Sequence, residues 1–555
     1  MSTELQRNFV TVRGRFGPRQ VHFRRGGQGP TVLLLHQSPQ SSREMEPLIA
    51  AWGSTFTVIA PDSPGYGCSD PLQKNGQPAG EASIDDFATA VLEFTDAIGV
   101  GRFGVYGFHT GASIGTALAL SFPARVAAVA ANGLAVLTEA EIAMFLRDYL
   151  PPLVPRWDGG HLAWLWARMR EQTIFFPWHD RRAATRMDFD VPSADGLHQG
   201  LQEFLAAADH YAVAYRAAFT WHAEQHLPGI NVPLLVTASA RDPLAGHLGR
   251  VGARGAGVRI EPAGEPGDAL DRCFRHLGTH PGDPGPAALA PEMALTEQPS
   301  CYRGAAGQQV RMRRHGALPG AASRTVLLVH APGSSAAALD PLAQQIEAAL
   351  GPETCVLTVD LPGHGASDAP RLRADGSGAL TATVDQLVLA LTTALKSAAG
   401  RGNVAIVGVG QSAVLALELA ARLGGNARVA FLGAPDWSAA DLVTGLREGL
   451  PPLTPVWSGG HLLEAWHIVR DGRLFDPWFR RERAAARRGE PDLDERSIQR
   501  EVTDLLRASG SWQPLLRDLL AHLLTATRPS GQPVVRLATP PADWSGALFP
   551  ATAAS

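Results

Sequence analysis

A single histidine stands in the stretch of the chain most suggestive of chemistry, residues 107–111, which read Gly-Phe-His-Thr-Gly. An apolar run ending at Tyr106 predicts a strand, and the Ala/Leu-rich residues 112–122 predict a helix. A strand that turns at once into a helix strains the residue at its apex, and flanking glycines leave room for the sharp turn. The apex residue is His109, and an imidazole is well suited to act as general base or acid near neutral pH.

The elements that position this turn occur twice in the chain. Three pairs of segments match in the same order, namely residues 31–36 with 325–330, residues 62–67 with 360–365, and residues 150–162 with 450–462. A repeat of this length indicates duplication of a whole domain rather than a solenoid. We expect a first domain over residues 1–280, a Pro/Gly-rich linker over 281–300 and a second, degenerate domain over 301–555.

In each copy, short β-branched runs alternate with Ala/Leu-rich stretches, which predicts a parallel, doubly wound α/β sheet. In the first copy we place eight strands, near residues 10–12, 21–24, 31–35, 56–60, 104–106, 126–130, 234–238 and 258–261. Where the strand pattern stops, at about 134–228 and again at about 435–530, we expect a helical cap. The second copy has no obvious counterpart of the last strand.

Three segments of the first copy, residues 35–39, 62–70 and 107–111, together resemble the α/β-hydrolase superfamily, in the subgroup of capped esterases, C–C hydrolases and dehalogenases. The resemblance extends over both copies and implies two tandem α/β-hydrolase domains with inserted caps. It identifies residues 107–111 as a nucleophile elbow, whose apex should be Ser, Cys or Asp. In this chain His109 replaces the nucleophile.

The resemblance also implies an oxyanion hole made of two backbone amides. One amide comes from the loop of His36, Gln37 and Ser38, and the other from Thr110, the residue after the apex.

The acid of the resembled family follows the seventh strand, which assigns it to Asp242, the expected partner of His109. The usual catalytic histidine should follow the last strand, but Glu265 stands at about that place. His276 lies further along the chain and is retained as an alternative member of the catalytic set.

Residues 111–115 also match the pattern G-x-S-x-G, with Ser113 as the serine. In the resembled family a helix of about four turns follows the elbow and ends at a proline. Counting back from Pro123 places the apex at His109 and Ser113 one turn into the helix. A serine hydrolase that uses Ser113 remains an alternative hypothesis.

The elbow of the second copy has Gly410 at its apex, with Ser412 two residues later and Asp543 as the nearest candidate acid. We therefore expect this copy to be catalytically silent. Cap residues that differ between the copies are candidates for substrate contact: Asp158, Trp164, His179 and Arg182, in place of Ser458, Glu464, Phe479 and Glu482.

The net charge of −4 gives no basic field for nucleic acid or anionic lipid, and no apolar run approaches a membrane span. The four cysteines are scattered, without metal-ligand spacing. We expect a cytoplasmic protein without metal or cofactor, whose partner is a small-molecule substrate and whose halves form an intramolecular pseudo-dimer, with a homo-oligomer also possible. The predicted function is hydrolysis of an ester-like or C–C bond, or lyase chemistry, on a carbonyl compound; a non-catalytic ligand-binding scaffold is the alternative.

Overall fold

The computed structural model describes residues 4–286, 299–319, 321–372, 377–399, 404–423, 427–525 and 534–549, with side chains of 393–399 excepted. Most of the linker predicted over 281–300 lies outside the described residues. The chain divides into two compact units, the first comprising Met1–Val154 and Trp164–Ala288 and the second Pro155–Ala163 and Leu289–Ser555. Residues 155–163, which fall inside the first predicted cap, therefore group with the second unit.

The strands of the first half are β1 Gln6–Gly14, β2 Gly17–Gly26, β3 Thr31–Leu35, β4 Thr57–Pro61, β5 Gln73–Lys74, β6 Gln77–Pro78, β7 Phe103–Phe108, β8 Val126–Asn132, β9 Leu234–Thr237 and β10 Val258–Ile260. Eight of them form one sheet in the order β1-β2-β4-β3-β7-β8-β9-β10, while β5 and β6 form a separate hairpin. The pairs from β4 to β10 are parallel, and β2 is antiparallel to both of its neighbours. All eight predicted strands are confirmed; β1 and β2 extend well beyond the predicted residues 10–12 and 21–24, and the ends of the others differ by at most two residues.

The helices of the first half are α1 Glu46–Trp52, α2 Ile84–Ala97, α3 Thr110–Ser121, α4 Glu139–Met144, α5 Gly160–Glu171, α6 Ala194–Ala207, α7 Tyr211–Phe219, α8 Ala223–His226 and α9 Pro266–Thr279. A 3₁₀ turn, Ser42–Met45, leads into α1. Helices α4 to α8 lie in the chain between β8 and β9, where the strand pattern of the sequence stops.

The second half repeats this order with β11 Ser300–Arg303, β12 Val310–Gly316, β13 Arg324–Val329, β14 Thr354–Val359, β15 Val404–Val409, β16 Arg428–Leu432 and β17 Val534–Leu537. Its helices are α10 Asp340–Leu350, α11 Ala379–Ala399, α12 Ala413–Leu423, α13 Ala439–Glu448, α14 Gly460–Leu474, α15 Glu495–Arg507, α16 Ser509–Thr525 and α17 Trp544–Leu548. Seven strands pair in the order β11-β12-β14-β13-β15-β16-β17, and the described residues hold no eighth strand in this sheet.

The central strands are buried along their whole length because helices cover both faces of each sheet. Every residue of β3, β4 and β8 is buried, which explains why these strands read as continuous apolar runs rather than as alternating patterns. Helix α3 is buried over nearly all of its length, from Thr110 to Ala119. Parallel strands bring their carboxyl ends to one edge, so the loops after β3, β7 and β9 meet there. Two tandem α/β domains are therefore confirmed.

Across the described residues, no helix combines the length and apolarity needed to cross a bilayer. Within the same residues, no cluster of three or more His, Cys, Asp or Glu side chains is arranged to hold a metal ion.

Candidate active site

The turn between β7 and α3 has the strained geometry expected of an elbow. His109 has φ +46° and ψ −107°, a backbone conformation with positive φ that residues other than glycine rarely adopt. A Cβ on Gly107 would lie 2.2 Å from the carbonyl oxygen of Gly111, and one on Gly111 would lie 2.1 Å from that of Leu35. Glycine is thus required at both positions, and the strained residue at the apex is His109.

Ser113 lies inside α3 and not at the apex. Its relative exposure is 0 %, and its backbone N–H reaches the carbonyl oxygen of His109 at 3.3 Å. Among the described residues, its hydroxyl has no hydrogen-bond partner and no access to solvent. A hydroxyl enclosed in this way cannot meet a substrate while the helix is formed.

The loop after β9 brings an acid to the elbow. His109 Nε2 lies 2.9 Å from Asp242 Oδ2, and the two side chains are 22 % and 7 % exposed. The second carboxylate oxygen of Asp242 accepts the N–H of Leu244 at 2.8 Å. Burial alone would raise the pKa of Asp242, but hydrogen bonding to His109, its positive charge when protonated and the Leu244 amide leave that pKa below its usual value.

An ionised carboxylate can only accept, so the Asp242 contact places the proton of the neutral imidazole on Nε2. Nδ1 of His109 then carries the free lone pair. The catalytic triad of known serine hydrolases uses the opposite arrangement, with the acid on Nδ1 and the reacting proton at Nε2. Here the nitrogen left to act as a base is Nδ1.

The imidazole of His109 is held between a backbone and a ring. A Cβ on Gly133, the residue after β8, would lie 2.3 Å from Cδ2 of the imidazole. The ring of Phe108 stacks on it with centroids 4.1 Å apart and an interplanar angle of 28°. The ring therefore has little freedom to turn away from Asp242.

His36 anchors the loop after β3, and both of its ring nitrogens are engaged by backbone groups. Its Nε2 accepts the N–H of Ser63 at 2.9 Å, and its Nδ1 lies 2.8 Å from the carbonyl oxygen of Gln37. Burial lowers the pKa of His36, which keeps the ring neutral. The predicted contribution of this loop to an oxyanion hole therefore falls on Gln37, while Ser38 is buried.

Gln37 has an acidic partner that the sequence analysis missed. The backbone N–H of Gln37 donates to Glu44 Oε2 at 3.2 Å, and its side-chain amide donates to Glu44 Oε1. Burial raises the pKa of Glu44 to about 7, against the hydrogen bonds from Gln37 and the charge of His109, which lower it. The sequence signal would have been an acid in residues 42–45 that becomes Ala338 in the second copy.

The 3₁₀ turn that carries Glu44 is fixed by a buried aspartate. Asp62 Oδ1 accepts the N–H of Ser42 at 2.8 Å, and its Oδ2 accepts that of Cys68 at 2.8 Å. His22 Nδ1 also lies 2.8 Å from Oδ2. Despite burial, the contact with His22 and the charge of Arg24 keep the pKa of Asp62 far below its usual value. The segment 62–67 thus positions the site without entering it.

Two of the sequence-predicted partners of His109 lie elsewhere. Glu265 precedes α9, is 61 % exposed and lies 3.4 Å from Arg241. His276 is a buried residue of α9, with its Nδ1 3.1 Å from Nη2 of Arg259 and its ring 5.2 Å from that of His280. Burial lowers the pKa of His276 to about 4. The structure brings Asp242 to His109 and leaves these two side chains with other neighbours.

The four cap residues predicted to contact substrate also lie in different surroundings. Arg182 is 74 % exposed and pairs with Asp180 at 2.5 Å, while the carboxylate of Asp158 accepts the N–H of Gly160 at 3.0 Å in the segment that groups with the second unit. Trp164 is 39 % exposed. The ring of His179 packs against Trp178, with centroids 5.7 Å apart.

Thr110, the predicted second donor of the oxyanion hole, is the first residue of α3, where backbone N–H groups have no intrahelical acceptor.

The second copy keeps the frame of this site and lacks its functional groups. His330 repeats the anchor of His36, accepting the N–H of Leu361 at 3.0 Å, and Gly410 has φ +59° at the apex. Ser412 is buried and donates to the carbonyl oxygen of His330 at 2.6 Å. Asp543 caps α17 by accepting the N–H of Gly546 at 3.0 Å.

Comparison with known proteins places both halves in one family. The profile described as alpha/beta hydrolase fold matches residues 30–250, and that of the Alpha/beta hydrolase family matches residues 326–552. A haloalkane dehalogenase 2 of Mycobacterium tuberculosis is 33 % identical over 122 residues, which are 22 % of this chain and 39 % of the relative. A soluble epoxide hydrolase of Corynebacterium sp. is 33 % identical over 114 residues, 20 % of this chain and 36 % of the relative.

An uncharacterized hydrolase of Saccharomyces cerevisiae is 33 % identical over 112 residues, 20 % of this chain and 37 % of the relative. The chain thus matches little more than a third of the length of these relatives. Among solved structures, epoxide hydrolase A from Mycobacterium thermoresistibile has 22 % identity and a TM-score of 0.37, with 49 % of this chain and 98 % of that chain covered. With each half matched by a profile of the same fold, and with the strand order and strained elbow described above, the chain belongs to the α/β-hydrolase superfamily and carries one copy of the fold in each half.

Proposed function

We propose that the first half is a cofactor-free hydrolase of a small carbonyl compound, either an ester-like substrate or one cleaved at a C–C bond, with His109 as its general base and acid. The observation that carries this proposal is the contact of 2.9 Å between His109 Nε2 and Asp242, on a strained apex residue of an α/β-hydrolase elbow. Relatives named as a dehalogenase and an epoxide hydrolase favour hydrolysis over lyase chemistry.

The chemistry follows from the free lone pair on Nδ1. His109 Nδ1 takes a proton from water as the water oxygen forms a bond to the carbonyl carbon, and the π electrons of the carbonyl move to its oxygen. That oxyanion lies against backbone amides, with Thr110 N–H at the start of α3 as the donor available there. As the oxyanion collapses, the bond to the alkoxide or carbanion leaving group breaks, and the proton on Nδ1 passes to it.

Asp242 is a positioning residue in this scheme. It fixes the tautomer of His109 and stabilises the imidazolium that forms when the proton is taken, as the acid of a catalytic triad does. The second copy has no side chain at Gly410 and uses Asp543 as a helix cap, so we propose that it is catalytically silent.

Turnover of p-nitrophenyl esters, lactones and β-diketones by the full chain tests the proposal. His109→Ala should lower kcat by ~10²–10⁴-fold on any substrate that is turned over, the range general for loss of an acid–base group. The matched control is Gly410→Asn in the other elbow, since asparagine tolerates a left-handed backbone and a Cβ there would lie 3.4 Å from that of Ala331.

Circular dichroism and thermal melting separate a lost function from a lost fold. Unchanged kcat in a folded His109→Ala variant would overturn the proposal. A wild-type chain that turns over none of these substrates but binds small carbonyl acids would favour the ligand-binding scaffold instead. Turnover that survives His109→Ala but is lost in Ser113→Ala would favour the serine hydrolase.

A further inference from the structure

Glu44 engages the backbone amide that an oxyanion is expected to use. The backbone N–H of Gln37 is the donor that the loop after β3 would offer to a substrate oxygen, and it donates instead to Glu44 Oε2 at 3.2 Å. The side-chain amide of Gln37 donates to the other carboxylate oxygen. A carboxylate held by both donors of one residue is a stand-in for the anion that the hole would stabilise.

The surroundings of Glu44 disfavour its ionised form. The groups that face it are Glu203 from α6, Tyr106 from β7, His109 after β7 and Gln37 from the loop. Burial raises the pKa of Glu44, the hydrogen bonds from Gln37 and the charge of His109 offset burial only in part, and the like charge of Glu203 adds a smaller upward effect. Burial is the largest effect, and the resulting pKa of Glu44 is about 7, so both protonation states are populated near neutral pH.

The two states of Glu44 have opposite effects on a carbonyl substrate. The ionised carboxylate engages Gln37 and puts a negative charge beside the carbonyl oxygen at the moment that oxygen becomes negative. The protonated acid is a hydrogen-bond donor, and protonation at Oε2 weakens the longer of its two bonds with Gln37, the one to the backbone N–H. A neutral carboxylic acid that donates into an oxyanion hole is a known catalytic device of other folds.

The second copy provides an internal comparison. Gln37 corresponds to Ala331 and Glu44 to Ala338, and the same copy has Gly410 in place of His109. The anchors of the loop are retained there, because His330 and Asp360 make the contacts that His36 and Asp62 make in the first copy. Gln37 and Glu44 are therefore dispensable for the loop fold and are absent together with the apex imidazole.

We propose that Glu44, in its protonated form, is a further catalytic residue that donates a hydrogen bond to the carbonyl oxygen of the substrate while His109 Nδ1 removes the proton of the attacking water. The proton of Glu44 stays on Glu44, so no additional reactant is needed. The proposal rests on the function proposed above for His109, and it adds a requirement that the enzyme lose activity as Glu44 ionises.

The test compares Glu44→Gln with wild type, using p-nitrophenyl acetate hydrolysis followed at the isosbestic wavelength of the product between pH 5 and 9. A glutamine amide can donate at every pH in this range, so the wild-type fall in kcat/KM above about pH 7 should disappear in Glu44→Gln. Glu44→Ala should lower kcat ~10²-fold or more at pH 6, as expected for loss of one oxyanion donor. A melting curve for each variant establishes that it is folded.

A second readout does not depend on turnover. In the infrared difference spectrum of the wild-type chain, a C=O stretch of a protonated carboxyl group should titrate near pH 7, and that component should be missing from the spectrum of Glu44→Gln. A second component from Asp504, whose pKa burial raises to about 6, should remain in both proteins. If the Glu44 component is present but the alkaline fall in kcat/KM persists in Glu44→Gln, Glu44 has only a structural role and the inference is wrong. If the Glu44 component is absent in wild type, the inference is also wrong, while a loss of turnover in His109→Ala would still support the proposed function.

Discussion

The two copies of the fold share the buried residues that anchor their loops and differ at the residues of the candidate site. The buried anchors are common to both, since His36 and His330 each accept a backbone N–H from the loop after the neighbouring strand, at 2.9 and 3.0 Å. The copies differ at the candidate site: Gln37, Glu44, His109 and Asp242 correspond to Ala331, Ala338, Gly410 and Ala542. The last pair follows from the matching contacts of Gly133 with Thr237 and of Gly433 with Leu537.

This difference separates two requirements. Residues that complete hydrogen bonds of the buried backbone are kept wherever the fold is kept, because an unsatisfied buried amide costs about 1–3 kcal/mol. Residues at the candidate site differ between the copies although the order of the strands they share is the same. The set lost together in the second copy therefore marks the site of the first more clearly than any one motif does.

The largest effect that would sharpen this comparison is expected at Asp242. Asp242→Asn should keep the fold but lower kcat by ~10²–10⁴-fold, because an amide does not stabilise the imidazolium of His109 and can favour the wrong tautomer. Asp543→Asn is the matched control, since Asp543 only caps a short helix in the other copy. Equal kcat values for the two variants, measured on any substrate found for the wild type, would contradict the role of Asp242.

Glu44 should make the stability of the chain depend on pH. Its pKa is about 7 in the fold and lower in the unfolded chain, so between these values the folded chain binds more protons. The stabilisation is then fully present below the unfolded pKa and is lost as pH rises through about 7. As pH rises from 5 to 8, the free energy of unfolding of Glu44→Gln should therefore increase relative to that of wild type, by an amount on the order of 1 kcal/mol.

Melting temperatures of the two proteins across this pH range provide the measurement. Glu46→Gln on the following helix, whose carboxylate is 38 % exposed, is the control for removing one charge from this segment. A constant difference between Glu44→Gln and wild type from pH 5 to 8 would show that Glu44 does not titrate in this window.

A smaller effect is expected for Arg168→Met, at a residue of α5 that corresponds to Ile468 in the second copy. Arg168 is 2 % exposed and lies over the rings of Trp178, Phe204 and Tyr211, at 5.2, 4.7 and 5.5 Å. Within the described part of the chain, its Nε, Nη1 and Nη2 have no hydrogen-bond partner. A buried cation without a hydrogen-bonded counterion is costly, so Arg168→Met should change stability by less than about 1 kcal/mol or raise it.

Arg168→Ala should instead leave a cavity and lower stability by ~2–5 kcal/mol, by analogy with other large-to-small substitutions. Chemical denaturation of both variants tests the pair. A strongly destabilised Arg168→Met would show that the charge, and not the volume, is what the aromatic cluster requires.

The smallest effect should be at Ser113. Ser113→Ala should leave kcat unchanged and stability within about 0.5 kcal/mol, because it removes a hydroxyl that has no partner among the described residues. Loss of turnover in this variant would contradict the assignment of the site to His109, since it would show that Ser113 inside α3 is needed for the reaction.

The sequence predicts most of the frame. The repeat, the order of the strands and the elbow follow from apolar runs and glycine spacing, and the structure confirms the strands and the two α/β domains. Asp242 was found because its place after β9 is fixed by topology, and its side chain does meet His109. Its catalytic role, like that of His109, stays a prediction.

Other site residues could not be found from the sequence for physical reasons. Glu44 is brought to Gln37 by a 3₁₀ turn whose Ser42 is held by Asp62, a contact across 20 residues that leaves no local pattern. Position after β10 suggests Glu265 and His276, but Glu265 lies exposed beside Arg241 before α9, and His276 is buried by the packing of α9. The sequence does not reveal that residues 155–163 group with the second unit, because both copies carry the same Pro/Gly-rich segment.

The elbow has a consequence for how proteins of this kind are found. Reagents that survey hydrolases by phosphonylating an activated serine need a hydroxyl at the apex, and here the apex is an imidazole while the nearest serine in the G-x-S-x-G pattern is fully enclosed in its helix. Such a survey would record this chain as inert whatever its turnover. Reagents that acylate imidazoles, applied with and without substrate protection, are the ones that would detect it.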